Sequence, residues 1–405
     1  VTLNKKQQLA YNEVLKGSEP IVVLTGAGGT GKSFTTGMII RDFVGEVLIT
    51  ATTNKAKDIL ATMAKERTFT TQSCMGYSMV KRGYDLVLAQ VRDPKQGTLL
   101  IVDEVSMLPH KVYKTILEQL ESGALTKVLF LGDPIQLPAI GRGVDIKAIE
   151  GVHIELTKQL RQTNKDKKLT KFLKHLRKAI ETGGTLDSID DIPSITVHTE
   201  HRSFCEAYNK DLGNKKVVAY RNAVVNKYNE YIHNTEELYN AGDEVVIDKP
   251  ITYNDCMTLA TNGEQVLITK VQRHATLPYY ILDVVTNIGG VATITAWDNA
   301  SSLNAYLEEL EKSNNYTEYW DTKNNAFNLK HLYACTVHKT QGSTYDTVYI
   351  DATDIYAAYE AKPSKWSAPI SYDLFLRLLY VSISRMTTHC HIYYGNARNY
   401  KYLRG

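Results

Sequence analysis

Gly26-Ala27-Gly28-Gly29-Thr30-Gly31-Lys32-Ser33 is the stretch on which the reading of this chain turns. It follows a short β-branched run at 21–25 and opens a helical pattern at 32–43. Glycines let the backbone turn successive N–H groups toward an anion, and a helix N-terminus adds positive potential there. Strand, glycine-rich turn and helix ending in Lys-Ser is the phosphate-binding loop in the context it requires. On this reading Gly26, Ala27, Gly28, Gly29, Thr30 and Gly31 cradle the phosphates of ATP. Lys32 reaches the β- and γ-phosphates and Ser33 holds Mg2+. The competing reading is a glycine-rich turn without a ligand.

Outward from that loop, apolar runs at 47–51, 99–103 and 127–131 alternate with helical patterns near 4–16, 55–65 and 109–121. Continuous apolar strands between helices predict a parallel sheet covered on both faces, an α/β domain over residues 1–150. Residues 77–97 interrupt it with two short strands, 77–81 and 86–91, around Arg82-Gly83-Tyr84-Asp85, which reads as a projecting hairpin. A second α/β pattern covers 151–242 and 331–405, beginning near Val152, with strands expected at 217–220, 332–337, 347–351 and 389–394. In its helix at 166–180, Leu169, Phe172, Leu173, Leu176 and Ile180 form one stripe. Lys167, Lys171, Lys174 and Lys178 lie off it, as a solvated face or a row facing phosphates. Residues 243–330 break the pattern. Alternating apolar positions and turn signals to about residue 300 predict a small antiparallel β-barrel. Tyr306, Tyr316, Tyr319, Trp320 and Phe327 then mark a helical arm packed on it.

The composition, 43% hydrophobic and 22% charged over 405 residues, is that of a chain with real cores. Its net charge is only +3, which excludes a strongly basic DNA-coating protein and leaves room for a local groove. No apolar run is long enough for a membrane span. The first ten residues are polar, without the apolar stretch of a secretory leader, and the start at Val1 suggests a trimmed N-terminus. Five scattered cysteines show no zinc spacing and read as buried thiols in a reducing cytoplasm.

Two further strand ends carry chemistry. Asp103-Glu104 follow the run at 99–102, where an acid helps hold magnesium and an adjacent Glu polarises the attacking water. Gln136, within Gly132-Asp133-Pro134-Ile135-Gln136-Leu137-Pro138, places a neutral amide where it can sense the γ-phosphate. A Gly/Pro turn accounts for Gly132 and Pro134 but not for Gln136.

Taken in order, these motifs resemble the superfamily 1 helicases, within them the RecD/Dda-like group that moves 5′→3′. Leu3-Asn4-Lys5-Lys6-Gln7-Gln8 is similar to the Q motif, which makes Gln7 the adenine reader. Leu156-Thr157-Lys158-Gln159-Leu160-Arg161-Gln162 resembles the motif carrying a first arginine finger, Arg161. Thr336-Val337-His338-Lys339-Thr340-Gln341-Gly342-Ser343 resembles motif V, with Gly342 at the nucleotide. Leu379-Tyr380-Val381-Ser382-Ile383-Ser384-Arg385 resembles motif VI, with Arg385 the second finger. The resemblance implies two RecA-like P-loop domains, ATP in the cleft between them, and an SH3-like barrel inserted in the second. Fingers supplied across a cleft couple hydrolysis to its opening.

The resemblance also implies a strand of DNA running across both domains. Thr53 and Asn54, in Ala51-Thr52-Thr53-Asn54-Lys55-Ala56, match its motif Ia, although Thr52 stands where the family usually has Pro. Thr71 and Ser73 match a Thr-x-His motif whose His is here replaced by Ser73, which cannot stack on a base. Thr336 and His338 fall at backbone-contact positions, and a satisfied, partly buried imidazole is the alternative for His338. Tyr84 caps the hairpin, which in such helicases splits the duplex. The expected partners are single-stranded and fork DNA, with single-strand binding or replication proteins, no membrane, and a monomeric enzyme serving replication, repair or recombination. A translocase that strips bound proteins, or an ATP-gated loading module, are the alternatives.

Overall fold

The computed structural model describes residues 3–51, 68–82, 85–138, 143–158, 166–186, 188–189, 191–233, 237–253, 257–260, 262–286, 289–363 and 368–395. Thr53, Asn54, Tyr84 and Arg161 lie outside the described residues, as does Cys256. The chain divides into two compact units, one of residues 1–221 with 336–405 and one of residues 222–335.

In the first unit, β1 (Ile21–Gly26), β2 (Val47–Ala51), β3 (Thr68–Thr70), β6 (Leu99–Asp103), β7 (Lys127–Gly132) and β8 (Val152–Leu156) form a sheet of order β3-β2-β6-β7-β1-β8. Every neighbour is parallel. Alternate side chains of one strand serve opposite cores. Val22 and Leu24 pack with Ala10, Val14 and Ile39 on one face, whereas Val23 packs with Val112, Ile116 and Phe130 on the other. That two-sided burial is why these strands read as unbroken apolar runs. The register pairs Thr25 with Gly132, Gly26 with Leu156, and Ala51 with Asp103. The loop, the acids and Gln136 therefore leave the sheet at one edge, beyond the carboxyl ends of the strands, where open α/β sheets bind ligands.

Val152–Leu156 was expected to open the second α/β half, yet it pairs with β1 and completes the first sheet. Its own composition cannot distinguish these outcomes, because sheet membership depends on which partner edge is free.

The interrupting hairpin is β4 (Tyr77–Arg82) against β5 (Asp85–Gln90), a separate two-stranded ribbon. The second sheet of this unit runs β10 (Lys215–Ala219), β20 (Tyr345–Asp351), β21 (Met386–Tyr393) and β9 (Ile195–His198), all parallel. The strand Ile195–His198 is missing from the sequence reading. It is only four residues long, half-buried and flanked by polar segments, so its periodic signal is weak. The helices Lys167–Thr182 and Tyr372–Ile383 pack into this sheet's core through Leu169, Phe172, Leu176, Leu379 and Ile383.

The second unit holds a sheet in which β17 (Ala326–Phe327), β16 (Val291–Trp297), β15 (Tyr279–Thr286), β14 (Gln265–Arg273), β11 (Glu244–Val246) and β18 (Lys330–His331) follow one another in that order. Its long strands, Gln265–Arg273, Tyr279–Thr286 and Val291–Trp297, are antiparallel, and the middle one alternates buried and half-buried positions throughout. The edge strands β17 (Ala326–Phe327) and β18 (Lys330–His331) are separated by only Asn328 and Leu329. Three residue steps span at most about 11 Å, so the two edges must curl toward each other into a small barrel. The arm comprises helices Ala300–Lys312 and Tyr316–Asn325. Tyr306 lies 5.2 Å from Trp297 of the barrel, whereas Phe327 belongs to an edge strand and not to the arm. Among the described residues no helix is long and apolar enough to cross a membrane, and Cys74, Cys205 and Cys390 take part in no disulfide.

Candidate functional site

The glycine-rich loop takes the conformation its residues allow. Gly26, Gly29 and Gly31 have φ of 155°, 82° and 90°, where a side chain is strained. A Cβ on Gly26 would also meet the Leu156 carbonyl at 2.6 Å, whereas one on Gly28 would meet nothing within 4 Å. Thr30 ties the turn by donating to the Ala27 carbonyl, its Oγ1 at 2.8 Å. Gly31 caps the helix Lys32–Asp42 without a side chain, leaving its N-terminal N–H groups open. Lys32 folds back, its Nζ donating to the Gly26 carbonyl at 2.6 Å and the Ala27 carbonyl at 3.3 Å. These carbonyls fix the ammonium beside the loop.

Asp103 and Glu104 lie within the electrostatic reach of that ammonium. Burial raises the Asp103 carboxyl above its usual range, while Lys32 and the Glu104 N–H, 2.9 Å from Oδ1, pull it back. Glu104 adopts φ 53°, ψ 46°, a left-handed conformation rare for a residue with a side chain and concentrated at functional sites. Burial and the neighbouring Asp103 push its carboxyl up to about 7, against the pull of Lys32 and Arg385. Arg385 follows the helix Tyr372–Ile383 of the second sheet, is 5% exposed, and donates through Nε to the Val381 carbonyl at 3.1 Å. An arginine from one sheet thus acts on a carboxylate from the other.

A cavity of about 460 Å³ opens beside the loop, lined by Ala27, Gly28 and Thr30 on one side and by Lys174, Arg177 and Ser384 on the other. Of its lining, Arg177 donates through Nη1 to the fully buried Asp133 at 2.7 Å and to the Tyr380 hydroxyl at 2.8 Å. Burial works against the charge on Arg177, but Asp133 and Tyr380 hold its pKa above the usual arginine value. Arg377 donates to the carbonyls of Pro134 and Gln136.

Several buried polar atoms near these motifs have no hydrogen-bond partner among the described residues: Gln7 Nε2, Ser106 Oγ, Gln136 Oε1, both amide atoms of Gln341, and Ser343 Oγ. Native interiors seldom leave such groups unmet without a ligand or water. Gln7 is instructive. Its Oε1 accepts from the Asn4 N–H at 3.0 Å in a capping box, which frees Nε2 as a donor.

Residues 2–200 match the AAA domain family. The chain is 23% identical over 440 aligned positions to the ATP-dependent DNA helicase dda of Enterobacteria phage T4, covering 95% of this chain and 97% of that one. It is 34% identical over 151 positions to the ATP-dependent RecD2 DNA helicase of Deinococcus radiodurans, covering 36% of this chain and 20% of that one. Its fold is similar to Pif1 helicase from Bacteroides in complex with ADP-AlF3 and ssDNA (TM-score 0.59, 17% identity, 98% and 94% coverage). Pif1 helicase from Candida albicans is similar too (TM-score 0.58, 16% identity, 98% and 96% coverage). Over nearly its whole length the chain is thus similar to the RecD/Dda-like superfamily 1 helicases.

In this chain the residues expected along the nucleic acid fare unequally. Thr71 is fully buried and donates to Thr50 Oγ1 at 3.1 Å, while Thr50 donates to the Ile101 carbonyl. Among the described residues that hydroxyl is engaged inside the first domain. Ser73 is half-buried, and its Oγ accepts from Arg92 Nη2 at 2.8 Å. Thr336 is 7% exposed at the start of the turn Val337–Thr340. His338 is half-buried, 6.2 Å from the Tyr220 ring, and burial lowers its pKa. Gly342 has φ 75°, which explains a glycine there.

Sequence reasoning missed Arg92, Arg177, Arg377 and Tyr380. The last lies inside a quoted motif. The arginines sit in segments read for their neighbours, and only the fold shows what each guanidinium meets.

Proposed function

We propose that this helicase couples ATP hydrolysis to 5′→3′ movement along single-stranded DNA and to strand separation at forks. The observation that carries the reading is Lys32, Asp103 and Glu104 on one sheet sharing an electrostatic site with Arg385 of the other. All four come from one chain, which supports a monomeric engine. The loop amides and Lys32 bind the phosphates, and Gln7 Nε2 offers adenine a donor. Ser33 and Asp103 are the groups that would hold Mg2+, and the buried carboxyl of Asp103 fits a cation; bound there, the ion would neutralise phosphate charge. Glu104 accepts a proton from the attacking water, and Arg385 steadies charge developing on the γ-phosphoryl group. Gln136 and Gln341 bring unmet amides to report that group's presence.

Ser73 with Arg92 provides a hydroxyl and a cation for a DNA phosphate, and Thr336 with His338 provides a second station. Contacts to the backbone are independent of base sequence, as a motor needs. Pif1 structures with ssDNA and at forked dsDNA support these partners by analogy. The test is ATP turnover with and without single-stranded DNA, followed by unwinding of forks tailed on either strand. Stimulated turnover and unwinding from the 5′ tail are expected. Turnover indifferent to DNA, or unwinding only from a 3′ tail, would overturn the assignment. Stimulated turnover with protein displacement but no unwinding would leave a translocase.

A further inference from the structure

We propose that His233, Asp243 and His331 form a binding site for one divalent metal ion of the zinc class, at the ends of the inserted unit. One ligand atom from each residue lies within 4.8 Å of the others, and no other such group occurs among the described residues. His233 ends the helix Asn222–His233, Asp243 lies in the turn before β11 (Glu244–Val246), and His331 is in the last barrel strand. Pairing of Val245 with His331 brings the returning strand beside that turn. The turn is itself fixed, because Asp243 Oδ2 accepts from the Asn240 N–H at 2.7 Å and Gly242 has φ 98°.

The protonation pattern fits a ligand set. His331 Nε2 lies 3.0 Å from the Leu238 carbonyl, which can only accept, so the ring proton sits on Nε2. Nδ1 then carries a lone pair, and it is buried with no hydrogen-bond partner among the described residues. A ring that donates one N–H to a carbonyl and keeps the other nitrogen bare is the arrangement of a metal-ligating histidine. His233 stacks on His331 with centroids 4.0 Å apart. Its Nε2 is 3.9 Å from Asp243 Oδ2, too far for a hydrogen bond, and 3.0 Å from the Glu237 carbonyl. Binding would exchange that carbonyl for the ion and leave Nδ1 facing the Tyr333 hydroxyl, 3.5 Å away. The side chains of His233 and Asp243 are only 7% and 12% exposed. Tyr239 and Tyr333 flank His331 and limit water. Ligands at about 2.0–2.1 Å around a tetrahedral ion stand roughly 3.3 Å apart, so the three atoms must close by up to about 1.5 Å. Two imidazoles and a carboxylate suit zinc, with water in the fourth position. The ion would fasten the entering helix, the first turn and the leaving strand together.

The test uses the untagged full chain, stripped with a chelator and dialysed against Zn2+ or Co2+. One zinc per chain, a visible cobalt spectrum of tetrahedral type and a higher Tm are expected. His331→Gln and Asp243→Asn should each weaken binding by about tenfold or more. Circular dichroism and DNA-stimulated ATP turnover verify that each variant is folded. No saturable binding by the wild-type chain would overturn the proposal, leaving the imidazole stack as packing alone. Equal binding by both folded variants would also overturn it.

Discussion

Glu104 concentrates the residue-scale argument. A left-handed backbone and a buried carboxyl are both unfavourable, and they coincide at the side chain proposed to take a proton from water. Its carboxyl is raised to about 7, first by burial and then by Asp103. A base works only when deprotonated, so kcat/KM for ATP, which reports the free enzyme, should fall as pH drops through about 7. Glu104→Gln should erase that acid limb and cost about 10²–10⁴-fold in turnover. A limb of unchanged position in Glu104→Gln would assign it to another group. Lys32→Ala should remove stimulated hydrolysis by about 10²–10³-fold with the fold intact. Arg385→Ala should lower turnover by about 10³-fold or more while fluorescent-nucleotide affinity changes far less. An equal fall in affinity would make Arg385 a ground-state ligand. These positions were legible because a phosphate loop and a strand-end acid are local patterns. For Thr71 the motif position did not reveal that its hydroxyl faces Thr50.

At the scale of elements, the hairpin Tyr77–Arg82 and Asp85–Gln90 raises the clearest question. A lone two-stranded ribbon is marginal in water, so it needs a support. Tyr77 supplies one through a 3.1 Å hydrogen bond between its hydroxyl and Thr115, and Lys111 donates to the Leu88 carbonyl. Both partners lie on the helix His110–Glu121, which packs against the first sheet. Such an anchored base suits a wedge at a fork. Replacing residues 82–85 by Gly-Ser should slow fork unwinding several-fold and leave single-strand-stimulated ATP turnover near that of the wild type. Equal losses in the two assays would place the ribbon in the track or the fold. The strand pair was readable to within a residue from its alternation and turn residues. Its attachment was not, because Tyr77 and Thr115 are 38 residues apart.

Across the whole first unit, the two sheets are joined at Asp133. This fully buried carboxylate, from the end of β7, is paired with Arg177 on the helix Lys167–Thr182 and lies 3.4 Å from Tyr380 Oη. Removing one partner of a buried pair strands the other charge, so Arg177→Ala should destabilise the fold by about 3–5 kcal/mol in denaturant titration. Asp133→Asn in the same chain should recover part of that loss, since it removes the stranded charge. No recovery would mean the effect comes from lost packing. The sequence by itself determined the phosphate-loop pattern and the likeness to superfamily 1 helicases, because the loop, the acids and the motif order are short-range patterns with fixed geometric meaning. It also determined the two α/β halves and the β insert, because strand and helix periods follow from backbone geometry. Only the tertiary structure decided that Val152–Leu156 completes the first sheet, that Thr71 is internal, and that His233 meets His331. Each depends on pairing between distant segments, where burial and register, not local propensity, select the partner.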